Sequence, residues 1–442
     1  MTQAPQTPPD SSAAVPAGRW SRMARLGTLA TGIAGGMLAE GARQLAQGKR
    51  PVLGDLLLTP ANAHRVADQL SKLRGAAMKV GQLLSMDAGD LLPPEIAAIL
   101  ARLRSDATPM PMSQVVAVLD AGWGEGWRHQ FRQFSFTPVA AASIGQVHFG
   151  QLKDGREVAI KIQYPGVRQS IDSDVDNVAG LLRLSGLLPA TLDIAPLLAD
   201  AKRQLHDEAD YLCEGGHMAR YGELLTDAPD YAVPALVPEL TSASVLTMTR
   251  MDGVPVESMS GAPQPVRDRI ATLLIGLLLR ELFEFRLIQT DPNFANYRYD
   301  TVSGQVILLD FGATRTYPAA LVAQFRAIVR GAIDGDMVAM DSAACAIGYY
   351  DAQTAAHHRQ AVLAMFMQAC EPLRCDGPFD FGQSDLPARI RDAGLALGRE
   401  RDFWHTPPAD ALFLHRKLGG IYLLAARLGA RVDVGGMARG LL

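Results

Sequence analysis

The sequence predicts an α+β protein in two lobes. A mostly β lobe with a helical insertion precedes a mostly α lobe, and a helical extension lies in front of both. Three observations carry that expectation. Residues 131–164 contain strand-forming runs, "FRQFSFTPVA", "GQVHFGQL" and "REVAIKIQY", with Asp154-Gly155 placed as a hairpin turn. Residues 171–225 show the apolar spacing of helices, and the chain from Pro265 onward is mostly helical in pattern, broken by a short loop-and-strand unit at "QTDPNFANYRYDTVSGQVILLDFGA". A chain of 442 residues is long enough for one large core or for two lobes with extensions.

The elements follow in order. Residues 1–18 are rich in Pro, Ser and Ala, have little to bury, and read as disordered. In residues 19–50, Arg19, Arg22 and Arg25 precede an uncharged stretch from Leu26 to Ala39, and Arg43, Lys49 and Arg50 follow it. That stretch is too short to span ~30 Å of hydrocarbon. It reads either as a segment lying against membrane lipids or pairing helices through Gly32 and Gly36, which would permit a homodimer, or as a plain buried helix. Residues 51–130 form the helical extension. It includes "ANAHRVADQLSKLRGAAMKVGQLLSM", a helix with Pro94 in its first turn, and "MSQVVAVLDAGWG", a short helix ending at glycine. Residues 131–251 form the β-rich lobe, in which "LVPELTSASVLTMTRMDGV" supplies two more strands, and residues 252–442 form the α lobe.

Composition excludes little else. Hydrophobic residues make up 48% and charged residues 20%, and the formal charge of −4 with no dense basic-aromatic stripe gives no reason to expect nucleic acid. Cys213, Cys345, Cys370 and Cys375 lack paired metal-ligand spacing and read as isolated thiols.

The chemistry lies in an ordered set of motifs. "AAASIGQVH" spans Ala140 to His148, and Lys161 closes "VAIK". Aligning Gly145 and Val147 with the last glycine and valine of G-x-G-x-x-G-x-V puts Ala140 and Ala142 at the other glycine positions. Asp291 and Asn296 have the D-x-x-x-x-N spacing of a phosphotransfer loop, and Asp310 leads Asp-Phe-Gly after an apolar strand. Each motif is weak alone, and Lys161 by itself is a solvated strand end. In this order they describe a nucleotide site.

The reasons are electrostatic. Nucleotide phosphates need a divalent cation held by hard oxygens, here Asp310 and Asn296, with Mg²⁺ expected and Mn²⁺ possible. Lys161 would reach the phosphates, and Asp291 would orient or deprotonate the attacking hydroxyl or water. ATP or ADP would lie against Ala140, Ala141, Ala142, Ser143, Gly145 and Val147, and against Ala159, Lys161, Met248 and Arg250. A helix-borne acid must hold the lysine. "HDEADYLCEGG" offers Glu208, Asp210 and Glu214: on a helix, Glu208 and Asp210 point in different directions and Glu214 lies almost two turns beyond Glu208. Glu214 is the expected partner, a solvated acidic face the alternative. Because alanine resists positive φ, Ala140–Ala142 should make a stiffer lid than glycine would.

"KVGQ" at 79–82, "AAASIGQVH", "VAIKIQYPGV", "EADYLCE", "QTDPNFAN", "LLDFGATR" and "LFLHRKLGG", in this order, resemble the UbiB family of atypical kinases. "QTDPNFAN" is most similar to the branch of that family serving coenzyme Q biosynthesis in mitochondria and to its bacterial relatives. The resemblance implies a two-lobed protein-kinase-like fold with an N-terminal helical extension and a helical insertion in the small lobe. It implies Mg-nucleotide binding and ATPase activity, with membrane lipids, quinone-pathway intermediates and ubiquinone biosynthesis enzymes as partners. It also implies that Lys79 pairs with Glu208 and Asp210, and that Gln82 covers the space a peptide would occupy. Only Ala313 to Tyr317 separate the DFG glycine from Pro318, too little for a peptide-docking segment. A protein or small-molecule kinase, or a nucleotide-gated scaffold, are the alternatives. The expected location is the bacterial cytoplasm at the inner membrane, or else the matrix side of the mitochondrial inner membrane.

Overall fold

The computed structural model describes residues 76, 109–142, 144–184, 195–291, 293–398 and 407–442. The expectations for residues 1–50, for Lys79 and Gln82, and for Ser143 lie outside them. Among the described residues, those up to Gly215 together with Leu236–Arg250 form one compact unit, and Gly216–Ala235 with Met251–Leu442 form the other.

The first unit begins with α1 (Met112–Trp123), stopped by Gly124 at φ 80. Then come β1 (Phe131–Phe134), β2 (Ala140–Ala141), β3 (Gly145–Leu152) and β4 (Glu157–Gln163). The β3–β4 turn holds Gly155 at φ 96, the conformation that selects glycine in the expected Asp-Gly hairpin. Among the described residues the insertion shows two helices, α2 (Val167–Leu184) and α3 (Ala195–Glu208), tied by Lys202 Nζ to Asp176 at 2.7 Å. After α4 (Tyr211–Leu224) the chain supplies β5 (Tyr231–Ala232) to the other unit, then returns for β6 (Val245–Thr249).

The antiparallel order is β1-β3-β4-β6, with β2 beside β3. Of the two strands expected over 236–254, the first is only a bridge at Leu236, because Pro238 turns the chain into a 3₁₀ turn. Val158, Ile160 and Ile162 pack one face of the sheet against Val115 and Leu119 of α1. A helix assigned from sequence to the extension is thus part of this core. Trp123, Trp127, Phe131 and Phe134 add an aromatic cluster, with neighbouring rings 5.1–5.8 Å apart.

A buried polar chain fixes β3. Met110 N–H donates to Gln146 Oε1 (2.9 Å), Gln146 Nε2 lies 2.8 Å from His148 Nε2, and His148 Nδ1 lies 2.8 Å from Ser135 O. The amide nitrogen can only donate and the carbonyl only accept, so the imidazole is neutral with its proton on Nδ1. Burial pushes the His148 pKa below its ordinary value, partly offset by the bond to Ser135. With the folded pKa depressed, the unfolded chain takes up the proton first. The stabilisation is therefore complete above pH ~6.5 and falls below it, by at most about 1.4 kcal/mol per pH unit. Denaturation of wild type and His148→Gln at pH 7.5 and 5.5 should show a shallower pH slope in the variant, and equal slopes would refute this.

In the second unit the order continues with β7 (Val254–Pro255), α5 (Gln264–Arg280), β8 (Leu287–Gln289), β9 (Tyr297–Tyr299), β10 (Val306–Leu308) and β11 (Thr314–Thr316). Then follow α6 (Ala319–Asp334), α7 (Met337–Ile347), α8 (Ala356–Ala369), α9 (Glu371–Arg374), β12 (Phe379–Asp380), α10 (Leu386–Gly398), α11 (Ala409–Leu428), β13 (Arg431–Val432) and α12 (Val434–Arg439). Residues 216–235, assigned from sequence to the β lobe, belong here because Tyr231 and Ala232 pair with Val306 and Ile307. The β12–β13 pair interrupts a region read as helical. Helix α5 ends in a π-turn over Glu281–Phe285, and Arg286 at φ 54 turns the chain into β8.

Candidate nucleotide site

In the first unit, cross-strand register puts Val147 opposite Lys161, Lys161 opposite Leu246, and Ala159 opposite Met248. Directly paired residues share a face, so Val147, Ala159, Lys161 and Met248 line one side of the sheet, opposite the core packed on α1. Lys161 Nζ lies 2.6 Å from Glu214 Oε1, with side chains 11% and 2% exposed, and 5.5 Å from the Tyr211 ring centroid. Arg250 stacks its guanidinium over Phe149 (4.5 Å) and reaches Glu157 (3.4 Å) at the end of the same sheet.

Glu208, Asp210 and Glu214 do not lie on one continuous helix, contrary to the sequence reading. Helix α3 ends at Glu208, and Asp210 starts α4 by accepting the Cys213 N–H on its side chain (3.1 Å). Aspartate at a helix start competes with helix continuation in this way. Gln163 Nε2 donates to Ala209 O (2.9 Å), so β4 holds the break that aims Glu214 at Lys161.

The alanines are in extended pairing. Ala140 and Ala141 face Val147 and Gln146, and Ala142 N–H donates to Gly145 O (2.9 Å). None of Ala140, Ala141 and Ala142 has positive φ, so alanine's steric penalty does not arise there. Gly145 is fixed by a different constraint: a Cβ would meet Ile162 O at 2.2 Å.

In the second unit, Asp291 Oδ2 accepts from Asn296 Nδ2 (3.1 Å) and its Oδ1 from Asn293 N–H (3.3 Å). Leu309 N–H donates to Asn296 O (3.0 Å), which joins this loop to Asp310, whose Oδ1 accepts the Gly312 N–H (3.0 Å). Phe311 is buried against Tyr221, with centroids 5.0 Å apart. After Gly312 the chain enters β11, which pairs with β8, and Tyr317 N–H donates to Arg286 O (2.8 Å) before α6 begins.

A small antiparallel sheet with a buried lysine–glutamate pair, and a helical unit carrying D-x-x-x-x-N and Asp-Phe-Gly loops, define a protein-kinase-like protein. The ABC1 atypical kinase-like domain matches residues 102–344. Over 429 residues the chain is 39% identical to "Atypical kinase COQ8B, mitochondrial" of Rattus norvegicus, covering 95% of this chain and 79% of that protein. It is 37% identical to "Atypical kinase COQ8, mitochondrial" of Saccharomyces cerevisiae, covering 95% and 84%. It is 38% identical to "Atypical kinase coq-8, mitochondrial" of Caenorhabditis elegans, covering 97% of this chain but spanning only 58% of that protein. Among solved structures, Rv3197 of Mycobacterium tuberculosis, described in complex with erythromycin, is similar with TM-score 0.60 and 26% identity, over 84% of this chain and 93% of that one. The chain belongs to the ABC1, or UbiB, family of atypical kinases.

Proposed function

We propose that this atypical kinase binds Mg-ATP and transfers its γ-phosphoryl group to water, in support of coenzyme Q biosynthesis at a membrane. The observation that carries the reading is the buried Lys161–Glu214 pair at 2.6 Å, which fixes an ammonium on the sheet face shared by Val147, Ala159 and Met248. Water is favoured over a protein acceptor because the chain passes from Gly312 directly into β11 and α6. Nothing there resembles an extended segment on which a peptide could lie.

Asp310 and Asn296 would hold magnesium. They supply a carboxylate and an amide oxygen, a hard-oxygen pair that suits an ion completing its shell with phosphates and water. Asn296 gives its amide N–H to Asp291, which directs its carbonyl oxygen elsewhere. When bound, the ion would neutralise phosphate charge. Lys161 would hold the phosphates, Glu214 would keep that ammonium in place, and Asp291 would accept the proton of the attacking water. Ala140–Ala142 and Gly145 would form a paired, inextensible cover over the nucleotide.

The pathway and location come from the coenzyme Q resemblance and from relatives named mitochondrial. The lipid quinone intermediates and their enzymes are the partners this reading implies. No helix among the described residues is long and apolar enough to cross a membrane. In a strain lacking the gene, wild type should restore ubiquinone and Asp310→Asn should leave early intermediates accumulated. Full restoration by the variant would remove the link between nucleotide chemistry and the pathway.

A further inference from the structure

Lys417 lies in "LFLHRKLGG", outside the nucleotide-site motifs, and it is 1% exposed on α11. Its Nζ donates to Gln289 Oε1 (2.8 Å) and to the Tyr297 hydroxyl, and lies 3.6 Å from Glu281 Oε2. Gln289 ends β8, two residues before Asp291. Tyr297 begins β9, immediately after Asn296. One ammonium therefore grips both stems of the loop that carries Asp291 and Asn296.

A second buried group backs it. The Tyr221 hydroxyl donates to Glu281 Oε1 (2.6 Å) and accepts the Gln289 N–H (2.9 Å), while its ring packs on Phe311. Catalytic-loop stem, Asp-Phe-Gly segment and Lys417 thus meet in one network. Burial opposes the ammonium, but Glu281, Tyr297 and Asp291 together outweigh it and raise the Lys417 pKa.

The network is not arranged for stability alone. Among the described residues, buried Glu281 Oε2 lies 3.6 Å from Lys417 Nζ with no hydrogen-bond partner, and buried Gln289 Nε2 has none either. A buried ion pair is often replaced by apolar residues without loss of stability, so packing by itself does not call for this lysine. What the charge adds is fixed directionality at two points flanking the reactive loop.

We propose that Lys417 is a positioning residue that sets the geometry of Asp291 and Asn296 through Gln289 and Tyr297. The inference rests on the assignment of those two residues to phosphoryl transfer. It predicts an effect on the chemical step rather than on nucleotide binding, since misplacement of about 1 Å can cost 10²-fold in rate.

The test compares wild type, Lys417→Met, and Lys417→Met/Glu281→Gln, the last of which removes the buried carboxylate whose lost partner destabilises the single variant. Thermal midpoint, hydrogen exchange by peptide, and kcat and KM for Mg-ATP are measured on the full chain. The expected result is a double variant folded like wild type, with faster exchange confined to about residues 289–297. Its kcat should be about 10²-fold lower and its KM little changed. Unchanged exchange in that segment, or unchanged kcat in the folded double variant, would overturn the proposal. Should wild type release no phosphate, the hydrolysis reading falls, and the exchange pattern alone decides whether Lys417 orders the loop.

Discussion

Asp310→Asn should lower the rate of Mg-ATP hydrolysis by about 10²–10³-fold while leaving the fold intact. The substitution keeps an oxygen for the Gly312 N–H that Asp310 Oδ1 now accepts, so the turn is preserved and only the charge is lost. A carboxylate that helps a divalent cation neutralise phosphate cannot be replaced by an amide without weakening the cation. Mg-ATP at ~100 times its Kd should stabilise the wild-type protein by about 2.7 kcal/mol, and most of that magnesium-dependent gain should vanish in the variant. A variant that hydrolyses at the wild-type rate would remove Asp310 from the reaction.

Lys161→Met should cost stability as well as activity. Glu214 is 2% exposed on its side chain, and taking away the ammonium 2.6 Å from it leaves a carboxylate in a nearly dry site. Breaking a buried pair from one side costs about 3–5 kcal/mol, whereas replacing both members by apolar groups is often close to neutral. Lys161→Met/Glu214→Leu should therefore recover most of the thermal stability lost in the single variant and none of the activity. Recovery of activity in the double variant would show that the ammonium is a packing feature. Loss of stability no larger than in an exposed pair would show that the site is wetter than its burial indicates.

Much of this arrangement was legible in the sequence, and the exceptions share a physical cause. Lys161, Asp291, Asn296 and Asp310 are singled out by the order and spacing of their motifs, and the Asp154-Gly155 turn is legible because Gly155 takes positive φ. The break at Asp210 was read as helix because periodicity continues through it. A side-chain cap and a bond from Gln163, remote in sequence, decide the matter. Leu236 was read as a strand because its apolar neighbours outweighed Pro238 in the pattern. The Lys417–Glu281–Tyr221 network was invisible for another reason. A lysine or glutamate on an amphipathic helix ordinarily faces water, and only tertiary contacts from β8 and β9 reveal that these two do not. The alanine run stands out in the sequence by its place ahead of "VAIK", but the sequence does not show that Ala140 and Ala141 lie in extended pairing.

The central claim, that the γ-phosphoryl group goes to water, is tested most directly by following γ-labelled Mg-ATP with the purified full chain, with and without anionic liposomes. The label should appear mainly as inorganic phosphate, and Asp291→Asn and Asp310→Asn should suppress its release. Nucleotide-dependent stabilisation with no phosphate released under either condition, or label accumulating chiefly on protein, would contradict it.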